Sequence, residues 1–328
     1  MGKAYILATI FLIALIPACL SAPEDICPSE DLVKPCICQK DFQSDRAVVR
    51  CEKITGYDVV MEVLNKTSEY GYEYFIIDLS SLTYIPAVAF EIKRLARLII
   101  LESTMVSLFN EPPKTKDLEQ LTLYKLKLSR KIQWDLFTEI PNLKNLSIEH
   151  SPLKSVDSSF VQNAPKSLER ITITNCSINK VEDKAFESMP NLIELIMDQG
   201  KIKEVKRSMF PSPANYLQKI SFKNQRIESL PDDMFKDMPR LQDIWLTGNL
   251  ISQVSENTFK APFEIIRSCT LDNNPIKCNC SLRWLTRMDL SRTLRRNLLG
   301  ECEEPKNLHG ALLNELTPND FQHCDQRT

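Results

Sequence analysis

Apolar residues recur along the middle of the chain with a period of 23 to 25 residues. The segments LERITITNCSINKVEDKAFESMPN, from Leu168, and LQDIWLTGNLISQVSENTFKAPFE, from Leu241, show the pattern. Apolar side chains occupy positions 1, 4, 6, 11 and 14, and a phenylalanine stands near position 19. The alternation predicts a short strand in which positions 4 and 6 point inward and positions 5 and 7 point outward. Equivalent first positions are Tyr72, Leu95, Leu118, Leu143, Leu168, Leu192, Leu217, Leu241 and Ile266.

This period, with the pattern L-x-x-L-x-L, is that of the leucine-rich repeat. A single repeat cannot bury its apolar face alone, so the repeats are expected to stack on one continuous core. The predicted fold is an α/β solenoid with about nine parallel strands on its concave face and irregular or short helical segments on its convex face. Phenylalanines are expected to form a spine along the convex side, at Phe90, Phe137, Phe186, Phe210, Phe235 and Phe259.

Position 9 of the repeat is the least regular. It holds Asn249 and Asn274, whose amides can satisfy backbone groups inside a turn. In six of the other repeats this position holds Ser103, Leu126, Ser151, Cys176, Gly200 and Gln225. A leucine cannot form these hydrogen bonds, so the ladder of turns is expected to be irregular across the first half of the solenoid.

The chain divides into four predicted segments. Residues 1–22 combine Lys3, an apolar run and small residues up to Ala22, the order of a secretory signal peptide. Cleavage is expected after Ala22 or one residue earlier; a lipoprotein site at Cys19 is the alternative, which Pro17 fits poorly. An N-terminal cysteine-rich cap covers 23–71, the repeats cover 72–272, and a C-terminal cap covers 273–328. No other run reaches the ~20 apolar residues of a membrane span, so the mature protein is expected to be secreted.

Ten cysteines remain once Cys19 is set aside, four near the start, four near the end and two within the repeats. In a secreted protein such clusters favour disulfides, and each group of four allows three pairings. Zinc is the alternative, but C-x-C lacks the usual ligand spacing. The two interior residues, Cys176 and Cys269, are expected to be buried small apolar side chains.

Both cysteine clusters resemble the caps of extracellular leucine-rich-repeat proteins. Cys278, Cys280, Trp284, Cys302 and Cys324 match the C-terminal cap, and CPSEDLVKPCIC with Cys51 is similar to the N-terminal cap. The resemblance implies the disulfides Cys278–Cys302, Cys280–Cys324, Cys27–Cys38 and Cys36–Cys51.

A narrower resemblance lies in the P-C-x-C start and in FIIDLSSLTYIP, from Phe75 to Pro86. These features look like small secreted arthropod leucine-rich-repeat proteins, a group that includes the non-catalytic subunit of a shrimp luciferase. The resemblance implies a role in holding or stabilising a partner protein and no luminescence chemistry.

The sequence offers no catalytic, cofactor or metal motif. Histidine occurs three times, and no nucleophile elbow, zinc-protease helix or phosphate-binding loop is present. With 41 basic and 43 acidic residues, nothing indicates general affinity for nucleic acid. We therefore expect a protein that is not an enzyme and that uses neither cofactor nor metal; a catalytic site on a solenoid is the alternative from another class.

The concave sheet is the predicted partner-binding surface, because aromatic and arginine side chains there can anchor a protein interface. Trp245, at position 5, is the most informative residue, since a tryptophan pointing outward from a sheet has no role in the core. The residues predicted to contact a partner are Trp245, Tyr124, His150, Arg170, Glu194, Lys219 and Asp243.

Two further features bear on binding. N-glycosylation sequons stand at Asn65, Asn145, Asn175 and Asn279, and glycans at Asn145 and Asn175 would cover the middle of the concave face.

The segment RWLTRMDLSRTLRR carries five arginines, at Arg283, Arg287, Arg292, Arg295 and Arg296. It is expected to be a solvated cap helix, and binding of an acidic glycan there is the alternative.

The function predicted from the sequence is that of a secreted, non-catalytic module that holds another protein on its concave face. An accessory, stabilising subunit of a secreted enzyme complex is one alternative. Recognition of glycans or lipids on microbial surfaces is another, and a structural matrix role, marked by self-association, is a third.

Overall fold

The computed structural model describes residues 26–41 and 45–325. Its strands are β1 Ile37–Lys40, β2 Ala47–Glu52, β3 Tyr72–Asp78, β4 Ser81–Leu82, β5 Arg97–Leu101, β6 Thr104–Met105, β7 Gln120–Tyr124, β8 Lys127–Leu128, β9 Asn145–Glu149, β10 Ser155–Val156, β11 Arg170–Thr174, β12 Lys180–Val181, β13 Glu194–Asp198, β14 Lys219–Ser221, β15 Asp243–Trp245, β16 Ser268–Thr270, β17 Ile276–Lys277, β18 Leu298–Leu299 and β19 Cys302–Glu304. The α-helices are α1 Glu30–Val33, α2 Tyr57–Lys66, α3 Ala89–Ile92, α4 Ser158–Asn163, α5 Glu256–Phe263 and α6 Arg292–Asn297. Short 3₁₀ helices cover Trp134–Phe137, Arg207–Met209, Cys280–Arg287 and Pro318–Asp325.

The molecule is organised around one long β-sheet. Twelve strands follow the order β1-β2-β3-β5-β7-β9-β11-β13-β14-β15-β16-β18. Only the first pair is antiparallel, and the nine repeat strands, from β3 to β16, pair in parallel with their sequence neighbours. The predicted leucine-rich-repeat solenoid is confirmed.

The inward positions of the repeats build one core that runs the length of the sheet. Each of the nine predicted first positions is buried, and so are strand residues such as Ile171 and Leu195, at 0% exposure. Their strand neighbours at positions 3 and 5, such as Arg170 and Ile196, are partly or fully exposed, with the exception of the buried Ser221. The one-in, one-out alternation along each strand explains why one face is core and the other is free.

The phenylalanine spine is present and contains more aromatic rings than predicted. Phe186 lies 5.9 Å from Phe160 and 6.2 Å from Phe210 between ring centroids. Phe160, together with Trp134 and Phe109, was not predicted, because these aromatic residues stand 15 to 18 positions into their repeats instead of near 19. The ring that fills the space under the convex side can therefore come from several neighbouring positions.

The hydrogen bonds inside the turns continue through the first half. Ser151 Oγ accepts from the Leu126 N–H at 2.9 Å, and Ser103 Oγ accepts from the Ser80 N–H at 3.0 Å. Ser80 Oγ in turn accepts from the Ile54 N–H at 3.1 Å. Serine hydroxyls thus act where later repeats use amides, so the irregularity expected across the first half of the solenoid is wrong for these repeats.

Four disulfides close the two ends of the solenoid. They join Cys27 to Cys38, Cys36 to Cys51, Cys278 to Cys302 and Cys280 to Cys324, the pairs that the resemblance to extracellular caps implied. The caps also extend the sheet, with β1 and β2 before the first repeat and β18 after the last. They cover apolar layers that would otherwise face water at each end.

The arginine-rich cap segment does not form the single helix expected from the sequence. Its first part is the 3₁₀ helix Cys280–Arg287, and its second is α6, Arg292–Asn297. Met288 leaves the helix with extended backbone angles, and the Ser291 hydroxyl caps α6 by accepting from the Leu294 N–H. The arginines consequently lie on two short helices, not on one shared face.

Cys176 and Cys269 are unpaired and buried, as predicted. Burial raises the pKa of both thiols. Cys176 Sγ also donates to the carbonyl oxygens of Ile148 and Thr174, at 3.2 Å each.

The proposed signal peptide, 1–22, lies outside the described residues, as do residues 326–328. Within the described part, no helix is both long and apolar enough to cross a membrane.

Lys93 is buried between the first repeat and α2. Its side chain is 3% exposed, its Nζ donates to the Thr67 carbonyl oxygen, and it lies 4.2 Å from the centroid of the Tyr72 ring. Burial lowers the pKa of Lys93 to about 8. Below that pH the folded protein holds a desolvated ammonium group, which opposes folding.

We expect a comparison of the wild-type protein with Lys93→Met at different pH values to measure the cost of burying the Lys93 ammonium group. Because the folded pKa lies below the unfolded one, the unfolded state binds more protons between pH 8 and about 10.4. As the pH rises through this range, the free energy of unfolding of the wild-type protein should therefore increase relative to that of Lys93→Met, by on the order of 1–2 kcal/mol. Urea unfolding at pH 7 and pH 9.5 tests this, with Lys114→Met, whose ammonium lies in water, as control. A wild-type-to-variant difference that is the same at both pH values would contradict it.

Candidate partner-binding site on the concave sheet

The concave face is built from outward-pointing strand positions that stack from repeat to repeat. The Cα register aligns Arg170 with Glu194, Glu194 with Lys219, and Lys219 with Asp243. A second row aligns Ile196, Ser221 and Trp245. Parallel strands are separated by roughly 4.8 Å, so side chains in one row contact their neighbours directly.

Trp245 is the centre of a cluster at the C-terminal end of this face. Lys219 Nζ lies 3.7 Å and Lys223 Nζ 4.8 Å from the centroid of its rings. Two ammonium groups on one indole form a cation–π arrangement, which is stronger where water is partly excluded. The tryptophan is partly buried, and its Nε1 is enclosed without a hydrogen-bond partner among the described residues. The exposed tryptophan expected from the sequence is thus half covered by lysines.

Carboxylates hold both lysines in place. Glu194 Oε1 lies 3.0 Å from Lys219 Nζ, and Asp198 Oδ2 lies 3.4 Å from Lys223 Nζ. The other oxygen of Asp198 accepts from the Ser221 hydroxyl at 2.7 Å and from the Lys223 N–H at 2.8 Å. Asp198 is therefore a buried anchor that ties two strands to the cluster.

Asp243 lies on the far side of Lys219. Desolvation raises its pKa above the usual value, and Glu194 acts in the same direction. The positive charges of Lys219 and Arg267 act in the opposite direction. The site thus combines an aromatic platform with closely spaced charges of both signs, which can contact both apolar and charged groups of a partner.

Tyr124 and His150 form a second cluster nearer the N-terminal end. Their ring centroids are 5.3 Å apart, and Lys125 Nζ lies 5.1 Å from the Tyr124 ring. His150 stands one residue beyond β9 in a left-handed turn with φ of 51°. Asn175 occupies the same turn of the next repeat, and its Nδ2 lies 2.9 Å from His150 Nδ1. His150 is therefore at the rim of the sheet, not on the sheet itself.

The seven predicted contact residues accordingly fall into two groups with one residue between them. Trp245, Lys219, Glu194 and Asp243 are together, Tyr124 and His150 are together, and Arg170 is exposed on β11. Asp198, Ser221 and Lys223 complete the first group and were missing from the predicted contact set, although position 7 of the repeat places Lys223 on the concave face. Alignment of neighbouring repeats would have placed these outward positions beside Trp245, whereas a single repeat does not show which residues become neighbours.

The four sequons occupy four kinds of position. Asn145 lies on β9 in the concave face, and its side-chain oxygen is enclosed without a partner in the described region. Asn175 is exposed at the rim, whereas Asn65 is exposed on α2. Asn279 is exposed and caps the following 3₁₀ helix through its Oδ1. A glycan at Asn145 would begin about 19 Å from Trp245, four strand spacings away; occupancy stays a prediction.

A charged cleft near the N-terminal cap was not predicted either. Glu73, 5% exposed, is paired with Arg46 Nη1 at 2.8 Å and with Arg97. The surrounding cleft has a volume of about 660 Å³. Because both arginines are engaged by the buried carboxylate, their main effect is to hold β2, β3 and β5 together.

One group of potential metal ligands occurs among the described residues, at Cys280, His323 and Cys324. The two sulfur atoms are bonded to each other, so they cannot supply the thiolates that zinc requires. The imidazole Nε2 of His323 lies 3.5 Å from Cys324 Sγ and 3.8 Å from Cys280 Sγ. This group is a disulfide beside a histidine.

Solved structures that share the fold include the following two. A chain in "Crystal structure of TLR13-ssRNA13 complex" aligns with a TM-score of 0.58 and 21% identity, covering 75% of this chain and 33% of that one. This chain thus spans about a third of that neighbour's length. A chain in "Octameric complex of Latrophilin 3 (Lec, Olf), Unc5D (Ig, Ig2, TSP1) and FLRT2 (LRR)" aligns with a TM-score of 0.52 and 16% identity, covering 77% of this chain and 90% of that one.

No curated protein matches the chain, and the comparisons lend no support to the resemblance to a luciferase subunit. The family model of the BspA-type leucine-rich repeat region, in six copies, matches residues 107–242 and 157–281. These matches together span more than half of the chain and coincide with the stacked repeats of the sheet. The chain belongs to the BspA-type leucine-rich repeat family.

Proposed function

We propose that this protein is a secreted, non-catalytic binding module that holds a partner protein on its concave sheet. The observation that carries the proposal is Trp245, an aromatic side chain on the free face of a sheet, framed by paired charges. Tryptophan anchors gain most where surrounding contacts exclude water, and Lys219 and Lys223 already provide part of that shield. The fold suits this role because a stacked solenoid presents a large surface with little ordering cost.

The fold neighbours are consistent with binding by such a domain. One neighbour comes from a complex with single-stranded RNA and the other from an assembly of several proteins. A protein partner fits this chain better than RNA, because the Trp245 cluster pairs its lysines with Glu194 and Asp198 and leaves little net positive charge. The four disulfides favour an oxidising, extracellular setting.

Two finer roles remain within this proposal. In the first, the partner is the catalytic subunit of a secreted complex that this chain stabilises. In the second, the surface recognises microbial glycans or lipids. A constant one-to-one complex in the native fluid favours the first role, whereas binding to isolated cell-surface material favours the second. Arg292, Arg295 and Arg296 at the C-terminal cap stay a candidate contact for an acidic glycan.

Trp245→Ala is expected to weaken the partner complex about tenfold, because it removes the anchor and frees both lysines. Native mass spectrometry of the tagged protein, purified gently from its own fluid, identifies the complex, and titration of the purified partner measures its dissociation constant. Tyr216→Ala is the control, since this aromatic side chain is 44% exposed and lies outside the sheet. An unchanged dissociation constant for Trp245→Ala, or equal loss with both variants, would exclude the Trp245 cluster as the site.

A further inference from the structure

A band of positive charge runs along the flank of the solenoid that follows the concave strands. We define this basic flank by nine residues: Lys127, Arg130, Lys131, Lys154, Lys180, Lys201, Lys203, Lys206 and Arg226. All except Lys206, which is partly buried, are exposed. They come from five consecutive repeats of a chain whose net charge is −2. The flank is therefore a local concentration of charge, unlike the chain as a whole.

The repeat register brings these residues together. The Asn179 N–H donates to the Lys154 carbonyl oxygen at 3.0 Å, and the Arg226 N–H donates to the Ile202 carbonyl oxygen at 2.8 Å. The Lys201 N–H likewise donates to the Ile178 carbonyl oxygen at 2.6 Å. Each repeat is thus placed directly beside the next on this side, and five repeats span about 19 Å at the strand spacing.

Two adjoining clefts make the flank concave on a small scale. One, of about 480 Å³, is lined by Lys180, Lys201, Lys203, Lys206 and Arg226. The other, of about 290 Å³, is lined by Arg130, Lys131 and Lys154. The lysine and arginine side chains thus surround two shallow depressions that lie in line along the solenoid.

Most of these cations are not neutralised within the protein. Lys180 pairs with Glu182, and Lys206 pairs with Asp183 and Glu204. The other seven make no ion pair within 4.0 Å among residues 26–41 and 45–325. Exposed cations held close together without counter-charges create a positive potential that attracts anionic ligands.

The geometry points to a second ligand: we propose that the basic flank binds a linear acidic polysaccharide, separately from the concave partner site. A linear polyanion matches a row of cations that extends over about 19 Å from repeat to repeat. The flank offers no exposed aromatic side chain for base stacking, since Trp134 beside the smaller cleft is 2% exposed, so single-stranded RNA fits less well. Four carboxylates also line the two clefts, so the ligand has to contact the cations selectively along its length; they are Asp157, Glu182, Asp183 and Glu204.

The test compares two triple variants of equal charge change. Lys154→Gln/Lys201→Gln/Lys203→Gln removes cations from both clefts, and Lys114→Gln/Lys166→Gln/Lys306→Gln removes exposed lysines elsewhere. A heparin octasaccharide is the probe, titrated calorimetrically at 50 and 200 mM NaCl. We expect the flank variant to bind about tenfold more weakly and the control variant less than twofold, with wild-type affinity falling as salt rises. Circular dichroism checks that both variants are folded.

Each remaining outcome overturns the proposal. Absence of octasaccharide binding by the wild-type protein, or equal weakening in both triple variants, would show that the flank is only a solvated surface. Tighter binding of a single-stranded RNA 12-mer than of the octasaccharide would replace the ligand class, and tighter binding to phosphatidylserine vesicles would do the same. Loss of binding in Arg292→Gln/Arg295→Gln/Arg296→Gln alone would move the site to the C-terminal cap.

Discussion

Phe186→Ala is expected to lower the free energy of unfolding by about 3–5 kcal/mol, the usual cost of deleting a buried phenyl ring. Phe186 is 0% exposed and contacts Phe160 and Phe210 on either side. The ring fills the space between two repeats, so its removal leaves a cavity that the fixed spacing of the backbone prevents from closing. Denaturation in urea, followed by circular dichroism and tryptophan fluorescence, measures the loss.

The control is Tyr216→Ala, since Tyr216 is an aromatic residue of similar size that is 44% exposed. Its replacement should cost less than about 1 kcal/mol, as is usual for surface positions. If Phe186→Ala cost no more than Tyr216→Ala, the spine would not carry the stability assigned to it. A solenoid can lose cooperativity when one interface weakens, so the two spectroscopic transitions should be compared; separation of their midpoints would indicate that one half unfolds first.

The repeat architecture was predictable because its physics is local and recurrent. Positions 4 and 6 of each repeat, such as Leu195 and Met197, are apolar in the sequence and buried in the structure. The pairing of the cap cysteines was not derivable from spacing, and only the resemblance to extracellular caps selected Cys278–Cys302 among three possibilities. Periodicity therefore predicts the core, whereas the ends depend on information from outside the repeats.

Two departures from the repeat pattern, Gly200 and Gln225, were harder to interpret from the sequence because they compensate each other in the structure. Gln225 Oε1 accepts from the Ile202 N–H at 2.9 Å, and its Nε2 donates to the Met197 carbonyl oxygen at 2.7 Å. A Cβ atom on Gly200 would lie only 2.7 Å from Gln225 Oε1. The longer amide of one repeat thus occupies the space left by the missing side chain of the previous repeat. Taken one repeat at a time, both residues look like defects.

The candidate site was predictable only in outline for a similar reason. Strand alternation correctly indicates that Trp245 and Lys219 point away from the core. It does not indicate that long lysine side chains fold over the indole, or that Asp198 anchors Lys223, because these contacts depend on rotamers and on neighbouring repeats. The basic flank is dispersed over about 100 residues of sequence, and only the stacking of the repeats makes it continuous.

Asn249→Ala is expected to destabilise the protein by about 3–5 kcal/mol, because buried backbone groups without partners cost about 1–3 kcal/mol each. Asn249 is 3% exposed, and its Oδ1 accepts from the Ile227 N–H at 3.1 Å. Its Nδ2 donates to the carbonyl oxygens of Phe222, at 2.7 Å, and Leu246, at 2.8 Å. The alanine variant deprives the Ile227 N–H and the Phe222 carbonyl oxygen of this partner and leaves a small cavity, whereas the Leu246 carbonyl oxygen keeps its bond from Asn274 Nδ2, at 2.9 Å.

Two comparison variants separate hydrogen bonding from other effects. Asn257→Ala removes an exposed amide that bonds only to the exposed Asp232, and should cost less than about 1 kcal/mol. Asn249→Asp keeps the acceptor but loses the donors and places a carboxylate beside two carbonyl oxygens, so it should be at least as destabilising as alanine at pH 7. Stability of the aspartate variant should recover as the pH falls toward 4, since protonation restores one donor. Asn249→Ala and Asn257→Ala with equal unfolding free energies would show that the turn ladder does not stabilise the solenoid.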